Sequence, residues 1–317
     1  MTKDKTPLVD ALIVGGSHAG LSAALTLYRA LHTTVIFDDN KPRNHYGTAV
    51  RHTSTWEGKT PDEMREASRK ELLSTGLTTF VDRSVETLVK TDDGIFEATD
   101  DTGAKWRGRK LLLATGSTDV FPDIDGYQDL YTRGIYPCMF QFGYELRGSS
   151  SAGLLAVDGL AQPMFATMLA RDAAKSADEV TIYTNGNGTL AAELSASQLG
   201  SGVFVDDRPI ARLSRGAGAL SILITFTDGT WKTEDFVHHR PLTRVAGRFV
   251  EQLGLALSET GDILAPLPFC RTSVEGVYAA GDCASLMKII PNAVVTGAYA
   301  GCGMSRELPK SEVKGVV

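Results

Sequence analysis

The sequence is poor in cysteine, in long apolar runs and in net positive charge, and each shortage closes off a class of protein. Four cysteines, Cys138, Cys270, Cys283 and Cys302, lie far apart in 317 residues. That pattern argues for free thiols in a reducing compartment and against a disulfide framework. No stretch approaches the ~20 clean apolar residues of a membrane-spanning helix. The longest, residues 153–170, is broken by Asp158, Gln162 and Pro163. The opening MTKDKTPLVD lacks the apolar core of a secretory signal, so a cytoplasmic location is expected. The net charge of −6 leaves no electrostatic footprint for nucleic acid or an anionic membrane. No His or Cys cluster has metal-ligand spacing, and the pair His238-His239 is a weak signal alone, so no metal is expected. What remains is a globular composition, 43% hydrophobic and 22% charged, in a chain long enough for about two domains.

The first forty residues carry the strongest pattern. ALIVGGSHAGLSAALTLYRAL begins with an apolar run of buried-strand length, passes through a glycine cluster, and continues with Leu21, Leu25, Tyr28 and Leu31 at helical spacing. Strand, tight turn and helix are the context in which a glycine-rich loop binds a dinucleotide. Gly15 is placed to make the turn, and Gly20 to let helix and strand pack closely. Gly16, Ser17, His18 and Ala19 lie between them, with Ser17 where the fingerprint has its middle glycine. The helix N-terminus would offer free N–H groups to a pyrophosphate. The next strand, TTVIFDD, ends in Asp38 and Asp39; Asp38 stands eighteen residues past Gly20, near the offset at which an acid reaches ribose hydroxyls. The plain alternative is a βαβ unit that binds nothing. Further on, DEMREASRKELL after Pro61 reads as an amphipathic helix, and FEATDDTGAKWRG as a hairpin turning near Asp101-Thr102-Gly103.

Two more segments extend the pattern: KLLLATGS, a buried strand ending in Ala114-Thr115-Gly116, and TSVEGVYAAGDCAS, a strand ending in Gly281-Asp282. With KPRNHYG (Lys41 to Gly47, containing Arg43 and Asn44), EGKTPDEMREASRKEL and the closing NAVVTGAYAGCGMS with Val294, the chain resembles the low-molecular-weight thioredoxin reductase family over nearly its whole length. The resemblance implies an α/β fold of two Rossmann-like dinucleotide-binding units. A discontinuous FAD domain would span residues 1–120 and 244–317, and a central NADPH-domain-like unit residues 121–243. It implies FAD as cofactor, with the Thr115-Gly116 strand near it and Asp282 on its ribityl chain. It also implies a homodimer.

The central unit departs from that family. Laid on the glycine fingerprint, its positions read Asp158, Leu160 and Pro163: a carboxylate, a bulky side chain and a residue without an N–H. After the next strand, Thr184-Asn185-Gly186-Asn187 offers no arginine for a 2′-phosphate. NADPH binding is therefore not expected. The family's redox CxxC also falls short, because the frame reads Cys138-Met139-Phe140-Gln141. By resemblance, Cys138 takes the substrate-exchanging position and Gln141 the flavin-facing one. An amide cannot relay a disulfide, which needs two sulfurs. Cys283 and Cys302 read as small buried residues rather than substitutes.

The nearest resemblance is to fungal thioredoxin-reductase-like oxidases of secondary metabolism, which include gliotoxin-type dithiol oxidases. It implies an FAD-dependent oxidase in which a small-molecule substrate gives its electrons to the flavin and O2 takes them up. Gln141 would orient substrate or flavin; Cys138 would bind substrate covalently or fill space. Tyr136, Phe140, Phe142 and Tyr144 would stack on a planar substrate or pack the core. His238 and His239, in DFVHHRP, are candidate general bases near neutral pH, or surface or hinge histidines; His18, His45 and His52 are weaker candidates. Two alternatives stay open: a single-cysteine sulfur oxidoreductase using Cys138, and a non-redox binding protein on a reductase scaffold.

Overall fold

The computed structural model describes residues 7–46 and 49–310; Gly47 of the KPRNHYG segment lies outside the described residues. The chain packs into two compact units, one running to Thr118 and resuming at Arg244, the other spanning Asp119–Thr243.

The first unit opens with β1 (Leu8–Val14), α1 (His18–Arg29) and β2 (Thr34–Phe37), then α2 (Pro61–Ser74) and β3 (Thr78–Val81). It continues through β4 (Val85–Lys90), β5 (Phe96–Asp100) and β6 (Lys105–Leu113), and leaves by β7 (Ser117–Val120). β3, β2, β1 and β6 are parallel neighbours, and β5 and β4 extend the sheet antiparallel. Alternation decides the two faces of β1. Ala11 and Ile13 enter one core with α1, while Leu12 and Val14 enter the other with Leu111, Leu113 and Phe96. α2 starts where expected because Thr60 and Glu63 form a reciprocal capping box and Pro61 sits in the first turn. α1 ends earlier than the leucine spacing predicts. It stops at Arg29, and Leu31 is exposed with φ 64°. Its buried face includes Gly20, Ala23 and Ala24, small residues that allow close approach, and Leu27, which fills the core.

The second unit contains α3 (Tyr127–Leu130), β8 (Ile135–Tyr136), α4 (Met139–Leu146), β9 (Ser149–Leu155), α5 (Pro163–Ala173), β10 (Ala177–Tyr183), α6 (Gly188–Ala196) and β11 (Val203–Asp206). The hairpin strands β12 (Ile210–Arg215), β13 (Ile222–Phe226) and β14 (Trp231–Glu234) follow, then β15 (Phe236–His238) and β16 (Leu242–Val245). The main sheet is parallel, in the order β11-β10-β9-β15-β8. The β13–β14 turn falls at Asp228-Gly229, with Gly229 at φ 84°. The two segments that cross between the units, β7 and β16, pair with each other.

The chain returns to the first unit with α7 (Phe249–Leu253), β17 (Val277–Ala279) and α8 (Ile290–Glu307). β17 pairs parallel with β6 through Leu111–Leu113. No helix among the described residues is long and apolar enough to cross a membrane.

Candidate functional site

The glycine loop is shaped by contacts that leave no room for side chains. Gly15 has φ 114°, and a Cβ there would lie 2.1 Å from the Ala114 carbonyl oxygen. A Cβ at Gly20 would lie 2.0 Å from the Gly15 carbonyl oxygen, so the first turn of α1 sits directly on the loop. At Gly16 a Cβ would collide with the Asp38 side chain, which lies across the loop. Burial, the largest influence on it, pushes the Asp38 carboxyl above the usual range. Ser17 is the N-cap of α1 but makes no side-chain capping bond, and the first turn holds no acidic residue. Leu21 is the first residue whose N–H reaches back to Ser17, so the N–H groups before it remain available to an anion. His18 is buried beside them; its Nε2 has no hydrogen-bond partner, and burial lowers its pKa to about 4.

α8 completes this cradle. A Cβ at Gly297 would lie 2.2 Å from the Ala19 carbonyl oxygen, and the Ser22 hydroxyl donates to the Val294 carbonyl at 2.7 Å. The start of α1 therefore packs against the second turn of α8. Between them a one-turn 3-10 helix, Gly281–Cys283, follows β17; Gly281 has φ 76° and donates its N–H to the Thr296 hydroxyl at 3.0 Å. Arg43 donates from Nη2 (2.7 Å) and Nε (3.1 Å) to Asp282, and Asn44 accepts from Arg65 on α2 at 2.9 Å. Thr115 and Gly116 follow β6, with Gly116 at φ 72°; Asp39 is exposed and accepts from the Lys41 N–H. The nucleotide-binding candidates thus fall together in the first unit. A close-packed glycine loop, an uncapped helix start and a buried imidazole nitrogen without a partner fit a dinucleotide cofactor.

The second unit treats the corresponding loop differently. Residues 156–162 separate β9 from α5, where residues 15–17 suffice between β1 and α1. The longer loop contains a 3-10 turn, Asp158–Leu160, entered with Asp158 at φ 50°. The fingerprint register on Asp158, Leu160 and Pro163 is corrected accordingly: Pro163 is the first residue of its helix, whereas Gly20 is the third of α1. Leu160 is buried, and a Cβ at Gly159 would lie 2.8 Å from a Leu242 methyl, so the loop packs on its own unit. After β10, the Asn185 side-chain Oδ1 accepts from the Ile210 N–H, and the Asn187 Oδ1 caps α6 by accepting from the Leu190 N–H. An acceptor thus stands where an anion would approach. Arg208 binds Asp206 and Thr230 and stacks over Phe226 at 3.8 Å.

Cys138 is the N-cap of α4 and Gln141 its third residue, both half-buried. The aromatic quartet divides: Tyr136 and Phe142 pack together with ring centroids 4.7 Å apart, while Phe140 and Tyr144 are exposed. β15 runs beside β8, so His238 pairs with Tyr136 and the His239 N–H donates to the Tyr136 carbonyl, two residues before Cys138. Neither histidine is at the surface, which corrects the surface reading of the pair. Burial lowers both pKa values, that of His239 to about 3 with His238 beside it. His238 Nδ1 lies 2.8 Å from the Tyr136 carbonyl, which only accepts, so Nδ1 holds the proton and Nε2 carries the lone pair. His239 Nδ1 lies 2.7 Å from the Tyr127 hydroxyl. His45 and His52 are exposed.

All four cysteines are free; Cys270 and Cys283 are buried and Cys302 only half so. Elsewhere in the first unit, Ser305, His32 and Asp10 stand in Ser–His–Asp order, at 3.1 and 3.5 Å. Ser305 lies inside α8, where backbone N–H groups are committed to the helix and none is left for an oxyanion. This cluster ties the helix end to the sheet. Lys288 and Asp262, which no motif singled out, hold the Gly281–Cys283 turn; they are 26 residues apart and carry no sequence signal.

A family model described as pyridine nucleotide-disulphide oxidoreductase matches residues 9–146 and 239–297. The chain is 40% identical over 310 residues to the thioredoxin reductase aclD of Aspergillus oryzae, covering 96% of this chain and 98% of that protein. It is 37% identical over 310 residues to the thioredoxin reductase sirT of Leptosphaeria maculans, covering 94% of each. Among solved structures, an oxidoreductase from Agrobacterium tumefaciens superposes with a TM-score of 0.83 at 28% identity, over 95% of this chain and 98% of that one.

Proposed function

The chain belongs to the pyridine nucleotide-disulphide oxidoreductase family, and from that premise we propose that it is an oxidase of a small organic biosynthetic intermediate, working without NADPH and without a dithiol relay, with O2 as final acceptor. Its cofactor is FAD and its activity oxidoreduction. The observation that carries the finer reading is the isolation of Cys138: residue 141 is glutamine and all four cysteines are free. A relay through this motif would need a second sulfur. The self-packed loop of residues 156–162 and the asparagine-capped α6 support the loss of NADPH. The thioredoxin reductases aclD and sirT, both of fungi, support a place in fungal secondary metabolism.

When bound, FAD supplies two-electron acceptor chemistry. The chain's own residues do the rest. The Gly15–Gly20 loop and the start of α1 would hold the phosphates, Asp38 would accept from ribose hydroxyls, and Asp282, steadied by Arg43, would hold the polyol. In the second unit Gln141 offers both an amide donor and an acceptor for orienting substrate. His238 and His239 stay neutral and brace the strand that leads to Cys138. The same reading places the enzyme in the cytoplasm as a homodimer.

Anaerobic titration of the purified flavoprotein with NADPH tests it. The visible flavin band is expected to persist. Rapid bleaching would make the protein an NADPH-dependent reductase and sink the oxidase reading.

A further inference from the structure

The 3-10 turn after β17 carries three carbonyls, each satisfied differently. Gly281 O accepts from the Ala284 N–H at 3.1 Å, and Cys283 O from the Ile263 N–H at 2.8 Å. Asp282 O, between them, takes its hydrogen bond from a side chain: the Lys288 ammonium, at 2.6 Å. The same ammonium donates to Ser285 O at 2.9 Å and to Asp262 Oδ1 at 2.7 Å, so all three of its protons are used. The Lys288 and Asp262 side chains are only 12% and 10% exposed. Asp262 is itself fixed, accepting from the Thr260 hydroxyl at 2.9 Å. On its other side Asp282 presents its carboxylate to Arg43, whose Nη2 also lies 3.4 Å from Lys288 O.

A buried ion pair is a poor way to gain stability, because desolvation offsets much of the attraction. An apolar pair would join the two segments as well. Only a donor can satisfy Asp282 O, and a cation suits the carbonyl end of a helical turn.

We propose that Lys288 is a positioning residue for the cofactor. Its ammonium, neutralised by Asp262, locks the main chain of Gly281–Cys283 so that Asp282 is already aimed at the FAD polyol before binding. The inference rests on the FAD reading and adds a residue to it.

The test compares apoprotein carrying Lys288→Met, and the double change Asp262→Leu with Lys288→Met, against the parent. FAD affinity is read by titration of flavin fluorescence and fold stability by thermal unfolding. Lys288→Met is expected to lower the unfolding temperature, since it strands Asp262, and to weaken FAD binding about 10-fold or more. The double variant is expected to recover much of the unfolding temperature, since no charge is left stranded, and not the FAD affinity. Recovery of both would make Lys288 a stabilising residue only, and overturn the proposal. So would a single variant that folds and binds FAD like the parent. A parent apoprotein that takes up no FAD would overturn the flavin reading itself and this inference with it.

Discussion

His18, His238 and His239 show how burial fixes a side chain's chemistry. Each is an ordinary titratable residue in the sequence, and each is held neutral in the fold because its charged form would lose solvation. A depressed folded pKa has a definite sign in linkage. The unfolded chain takes up protons first, so stability is intact above pH ~6.5 and falls as the pH drops toward the folded values, about 4 for His18 and about 3 for His239. His239→Asn is expected to lower stability at pH 7 by ~1 kcal/mol through the lost Tyr127 bond. It should also flatten the acid slope by up to ~1.4 kcal/mol per pH unit. Urea unfolding at several pH values between neutral and mildly acidic checks both; an unchanged slope would show that His239 already titrates normally. Residue type and position were legible here, and the protonation state was not, because it depends on neighbours brought in from β8 and α3.

Among elements, those marked by caps and turn residues match their sequence signals, whereas the leucine spacing alone overruns the end of α1. α2 announces itself by Thr60, Pro61 and Glu63, and the β5–β6 hairpin by its glycine turn. The segment after β9 departs from the fingerprint register because nothing in Ala-Val-Asp-Gly-Leu-Ala-Gln marks a 3-10 turn; Leu160 makes one by burying itself in its own unit. α4 keeps the geometry of a dithiol helix even with one sulfur. The Gln141 N–H donates to the Cys138 carbonyl at 3.1 Å, which draws the N-cap and the third residue together as a bridge between those two positions would need. Gln141→Cys is therefore expected to form an intrahelical bridge with Cys138 on oxidation, seen as two fewer titratable thiols per chain. Thiols that remain free after oxidation would mean that α4 does not start as described.

At the scale of the molecule, the two units share a βαβ plan but differ in what their first loops exclude. The first keeps a glycine cradle, and the second fills the equivalent space with its own side chains. Ligand binding should register that difference. FAD at about 100 times its Kd should raise the unfolding temperature of the apoprotein by ~5–10 °C, from ~2.7 kcal/mol of linkage. NADPH at the same excess should leave it unchanged, and an NADPH shift of similar size would restore a nucleotide site to the second unit. By itself the sequence determined the α/β class, the glycine loop with Asp38, the Gly281-Asp282 segment and the loss of the second redox sulfur. The loop and the Gly281-Asp282 segment are local patterns of a few residues, set by backbone freedom and side-chain chemistry; the fold class and the missing sulfur follow from what the resemblance implies. Only the tertiary structure decided that the histidines are buried and neutral, that the loop of residues 156–162 packs against Leu242, and that Lys288 and Asp262 clasp the turn at Asp282. Those outcomes arise where distant segments meet and exclude water, and no local pattern encodes such a meeting.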